Sequence, residues 1–93
     1  MNPTIEDILS SRTRVKILKA LAIKEELTIS LLVKETKSNH FHLRKHLNYL
    51  KKVDFFEEKT YGRIKIFRYK TENIKALSFK RFIYIFESEL KDT

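Results

Sequence analysis

The chain has 93 residues, 42% of them apolar, a formal net charge of +8 and no cysteine. That length suits one small domain, and the apolar fraction is too high for a disordered polymer. The missing cysteines exclude disulfides, thiolate metal sites and cysteine nucleophiles, and they fit a reducing, cytoplasmic setting. The positive excess favours a polyanionic partner, nucleic acid first and an acidic membrane surface second. No run of about 18 apolar residues is present to span a bilayer. The first residues, "MNPTIEDILSSR", lack the basic stretch and apolar run of a secretory signal.

There is no repeat, low-complexity segment or linker, so the chain reads as one unit. "SRTRVKILKALAIKEE" places Val15, Leu18, Leu21 and Ala22 at helical spacing with basic residues opposite. The preceding "ILS" is either its first turn or a separate helix. "LTISLLVKET" is a second helix, with Ile29, Leu32 and Val33 on one side and Thr28 or Ser30 as its cap. "TKSN" breaks the pattern, and Ser38 or Asn39 can cap a third helix over residues 39–52. Leu43, Leu47 and Leu50 recur there at i, i+4 and i+7 as a buried stripe. At about 100° per residue, Phe41, Lys45 and Asn48 point away from that stripe. His42, Arg44 and Tyr49 take the shoulders, and His46 flanks the stripe.

"DFFEEKTYGRIKIFRYK" follows as two strands, with Gly62 supplying the positive φ of a tight hairpin. From Lys59 to Lys70 it carries five basic residues and no acidic one. The final segment predicts a helix over 73–91, capped near Thr71 or Asn73. It is apolar around much of its circumference, which calls for a contact beyond its own domain. A twin subunit meets that need, with Ile5, Ile8, Leu9, Phe79, Phe82, Ile83, Phe86 and Leu90 as the dimer interface.

The three histidines fall within "NHFHLRKH". His42 and His46, four residues apart on a helix, have the spacing to share a zinc ion. A site needs more ligands than two, and Arg44 and Lys45 repel a cation. No carboxylate is spaced to orient a histidine, and no glycine-rich loop or serine elbow is present. No enzyme, metal or cofactor is therefore expected. Two readings remain. In one, His46 packs at the core edge while His40 and His42 are solvated. In the other, which is favoured, His42 and His40 donate to phosphates or base edges. Phe41 either touches the second helix or packs on thymine methyl groups.

The order of helix, helix, helix, two-stranded hairpin and helix describes an α+β, mainly α, winged helix-turn-helix. "RTRVKIL", the "HL..L" of residues 46–50 and "GRIKIFRY" together resemble the ArsR-like family of winged-helix regulators over roughly residues 8–70. The resemblance implies a single domain over 1–93 that binds double-stranded DNA as a homodimer and regulates transcription. The third helix would lie in the major groove, and the wing over 59–65 would touch the minor groove or the backbone. His40, Phe41, His42, Arg44, Lys45 and Asn48 would make the major-groove contacts. Lys59, Tyr61, Arg63 and Lys65 would serve the wing, and Arg12, Arg14 and Lys37 would hold phosphates. Metal-sensing members carry cysteines where Thr28 and Ser30 stand, so metal sensing is not implied. Lys37 stands where the family often has glycine. Two rival readings keep the same fold: an architectural or partition protein that coats DNA, and a winged-helix module that binds another protein.

The charge generates a first prediction. If a dimer neutralises about six to ten phosphates, affinity for duplex DNA falls on the order of 10³- to 10⁵-fold between 50 and 200 mM salt. Titrations across that range check it, and a flat profile contradicts it.

Overall fold

In the computed structural model, which describes residues 4–92 and the side chains of residues 4–88, the periodic segments become five helices and three strands among the described residues. Helix α1 (Ile5–Ile8) is a separate short helix, closed by a capping box in which Thr4 and Asp7 satisfy each other's backbone N–H groups. Ser11 caps α2 (Arg12–Lys24), whose Ile17, Leu18, Leu21 and Ala22 are fully buried. This helix is the centre of the core, with the three helices that follow it in the chain packed against it.

Thr28 caps α3 (Ile29–Thr36) by accepting the Leu31 N–H. Thr36 is a buried polar side chain of the core, and its hydroxyl donates to the Leu32 carbonyl at 2.7 Å. Asn39 caps α4 (His40–Lys52) by accepting the His42 N–H at 2.9 Å. Both caps are side-chain oxygens that satisfy backbone donors left orphaned at a helix start.

The wing departs from a simple hairpin. Strands β2 (Phe56–Tyr61) and β3 (Ile64–Tyr69) pair antiparallel around the Gly62 turn, where φ is +60°. A third strand, β1 (Glu26–Thr28), adds to the far edge of β3, giving the order β1-β3-β2. The expected second helix had begun at Leu27. Three residues are too few to show the two-residue alternation of a strand, so β1 left no periodic trace. Its pairing of Leu27 with Phe67 buries both side chains and ties the wing to the helical core. Phe67 also meets Phe56 edge-on, with ring centroids 5.5 Å apart.

Helix α5 (Ile74–Asp92) starts at Asn73, whose side chain accepts the Lys75 and Ala76 N–H groups and donates to the Asp54 carbonyl. The buried Tyr69 hydroxyl donates to the Ala76 carbonyl at 2.6 Å. Burial pushes the Tyr69 phenol pKa up, so the hydroxyl stays a donor.

Two residues assigned to the dimer interface lie elsewhere. Ile8 is 5% exposed and belongs to the main core, and Ile83 is 7% exposed, on the inward side of the last helix. Helix α1 has only four residues, and α5 is apolar around much of its circumference, so periodicity could not say which residues turned inward. Phe79 is half-buried against the same core. Ile5, Leu9, Phe82 and Phe86 are exposed, and the side chain of Leu90 lies outside the described residues.

Lys37 ends α3 in the left-handed region, at φ 55° and ψ 32°. The turn into α4 thus keeps the geometry glycine favours, with a residue whose Cβ opposes it. For an L-residue this conformation costs roughly 1–2 kcal/mol, partly offset by the greater unfolded freedom of glycine. Lys37→Gly is expected to stabilise the fold by about 0.5–1 kcal/mol, a rise of several degrees in Tm. Thermal unfolding beside a Lys37→Ala control, which should show no gain, checks it.

Candidate nucleic-acid interface

Leu43, Leu47 and Leu50 of α4 are at most 1% exposed, and they fix the azimuth of every other side chain on that helix. His40, Phe41, His42, Lys45 and Asn48 are all exposed as a result. Phe41 is 80% exposed, so it does not pack on α3. Its ring stands edge-on to His42 at 6.3 Å. Arg44 is half-buried, on the side of α4 that faces the wing, with its guanidinium 3.9 Å from the Glu58 carboxylate.

His46 lies at the core edge, as its place beside the leucine stripe implied. Arg14 Nε donates to its Nδ1 at 3.4 Å, and Ser11 Oγ lies 3.3 Å from its Nε2. An Nδ1 that accepts leaves the proton on Nε2, so the ring donates to Ser11. Burial, then the charges of Arg14, Lys45 and His42, hold the His46 pKa below its ordinary value.

Arg14 does not stand out as the expected phosphate ligand. Besides His46, its guanidinium donates to the Asp7 carbonyl and to Ser10 Oγ, and it lies 3.9 Å over the Tyr49 ring. These contacts turn it inward, where it staples α1 to α4 across the start of α2. Arg12 and Lys37 are exposed, and neither forms an ion pair among the described residues.

The basic run of the wing is largely neutralised. Arg68 donates to Glu57 and to Glu72, each at 2.7 Å, and Lys70 meets Asp54 at 2.6 Å. Those contacts hold the carboxyls of Glu57 and Asp54 below the usual range and that of Glu72 down to about 2. Lys59 stands 3.6 Å from Glu57, and Lys65 stands 3.5 Å from Glu58. Arg63, at the tip, forms no ion pair among the described residues, beside exposed Tyr61 and Ile64. Ile64 is 56% exposed at the start of β3, directly after the turn.

A cleft of about 530 Å³ lies between α1 and α5, lined by Ile5, Leu9, Phe55, Phe79 and Phe82. Phe82 and Phe86 stack at a tilt beside it, 56% and 54% exposed. Among the described residues no group of three or more histidine, cysteine, aspartate or glutamate side chains is placed to hold a metal ion. No helix there is long and apolar enough to cross a membrane.

No family model matches the chain, and no curated protein does. Solved structures match it closely in shape. The antimony-specific transcriptional repressor AntR superposes with a TM-score of 0.73 at 17% identity, over 92% of this chain and 76% of that one. An ArsR family transcriptional regulator gives 0.61 at 19% identity, over 100% and 98%. Sso10a-2, a DNA-binding protein from Sulfolobus solfataricus, gives 0.61 at 15% identity, over 88% and 86%. The chain therefore has the winged helix-turn-helix fold that these structures share.

The His46 network predicts a pH dependence of stability. With its folded pKa lowered, His46 is neutral in the fold where it would be charged in the unfolded chain. The unfolded state then binds more protons, so stability is full above the unfolded pKa near 6.5 and declines as pH falls through the folded pKa. Between about pH 7.5 and 5 the shifted carboxylates of the fold stay ionised, and the difference between the native chain and His46→Gln reports this histidine. Urea unfolding is expected to show lower stability at the acid end for the native chain and a flatter profile for His46→Gln.

Proposed function

We propose that the chain is a double-stranded-DNA-binding transcription regulator that acts as a homodimer without a metal cofactor. One observation carries this reading. Helix α4 presents His40, Phe41, His42, Lys45 and Asn48 to solvent opposite its buried leucines, and among the described residues none of the five is held by an ion pair. A helix of about 10–12 Å diameter fits the major groove. There Lys45 and Asn48 are suited to base edges, with Arg44 and His42 beside them, and Phe41 to thymine methyl groups. Arg63, Tyr61 and Ile64 at the wing tip suit the minor groove or backbone, with Lys59 and Lys65 behind them. Arg12 and Lys37 are suited to phosphates.

Dimerisation is supported by the exposed apolar faces of α1 and α5, where Ile5, Leu9, Phe82 and Phe86 would pair with a second copy. The net charge of +8 keeps a second reading in view, in which the same surface coats DNA with little sequence preference. Selection of bound duplexes from a random pool separates the two. One recurrent palindrome supports the regulator, and unselected recovery supports the coating protein.

Arg63→Ala is expected to weaken binding evenly across sequences, because a wing tip that touches backbone carries no base information. Lys45→Ala and Asn48→Ala are expected to cost roughly 1–3 kcal/mol and to relax preference at single positions. Binding of all three variants to the selected duplex and its single-base variants checks the division. Equal losses on every sequence would refute it.

A further inference from the structure

Glu58 stands between the two elements that the DNA-binding reading uses. Strand alternation puts it on the face of β2 that carries the buried Phe56, turned toward the helices. Its side chain is 15% exposed and meets three cations. Arg44 and Lys51 approach from α4 at 3.9 and 3.6 Å, and Lys65 approaches from β3 at 3.5 Å.

Those distances give Coulomb attraction without the short contact of a charge-assisted hydrogen bond, which falls near 2.7–2.9 Å. Arg68, at 2.7 Å from both Glu57 and Glu72, shows the locked alternative on the same strand. Arg44, Lys51 and Lys65 are thus gathered around one carboxylate and able to leave it.

We propose that Glu58 is a specificity-determining residue: its carboxylate stands between α4 and the wing as an internal counterpart of a DNA phosphate and keeps three cations from indiscriminate phosphate contact. The proposal rests on the DNA-binding reading. A duplex held only through its phosphates must compete with Glu58 for these cations and is repelled by it. A duplex with matching bases gains contacts from Lys45 and Asn48 of α4 that do not depend on freeing them. Glu58 therefore depresses random binding more than matched binding.

The test uses Glu58→Gln, which keeps the shape and removes the charge, and Glu58→Asp, which keeps the charge. Glu25→Gln is the control, since it removes the same unit of charge from the pair with Lys80 at the end of α2. Each chain is titrated with a short duplex of random sequence and with the duplex selected from the pool, at several salt concentrations. For Glu58→Gln, affinity for random duplex is expected to rise about tenfold, with a salt slope steeper by about 0.9 for each cation freed. Its preference for the selected duplex should fall. Glu58→Asp and Glu25→Gln should stay near the native values. A Glu58→Gln chain that behaves like Glu25→Gln overturns the proposal. So does one that binds both duplexes more weakly, or one that circular dichroism shows to be unfolded. A native chain that binds no duplex at all refutes the DNA-binding reading itself, a result seen before any variant is compared.

Discussion

The burial of Leu43, Leu47 and Leu50 against α2 is the constraint from which the candidate interface follows. A helix has one rotational degree of freedom once its axis is set, and three leucines on one stripe remove it. Rolling α4 to cover Phe41 would bring leucine out on the other side. At roughly 1.5–3 kcal/mol per large apolar side chain, that exchange is prohibitive for a core this small. Phe41 and its polar neighbours are held in water by the packing behind them.

This dependence explains which parts were legible in the sequence. The leucine period, the Thr28 and Asn39 caps and the Gly62 turn are local signals, each contained within a few residues. They gave the helices, the hairpin and the outward face of α4. What escaped was joined across the chain. Arg14 and His46 are 32 residues apart, and only the folded packing of α2 on α4 brings them together. The acids that neutralise the wing flank it or lie on its opposite strand. A run of basic residues on β3 therefore looked like an open field of charge. Strand β1 escaped for a different reason: at three residues it is set by its partner strand.

The wing also shows that ion pairs of one sheet can have different consequences. Arg68 is fixed by two acceptors and serves to tie β3, β2 and the start of α5 together. Lys65 sits a few residues away in a loose pair and remains available to a ligand. Exposed pairs of either kind contribute little to stability, typically below about 1 kcal/mol. Their significance lies in how they distribute mobility among cations of equal formal charge.

The Tyr69 hydroxyl bond to the Ala76 carbonyl has a reach beyond the two residues it joins. Tyr69 closes the wing strand, and Ala76 lies in the first turn of α5. A buried phenol with a single acceptor couples these elements, because tilting the wing away from α5 would strand the hydroxyl without a partner. In an assembly built on α5, the span from one wing tip to the other is then a property of this joint. The helical axis of one subunit and the reach of its hairpin act as two arms of one caliper, with the tyrosine as its set screw.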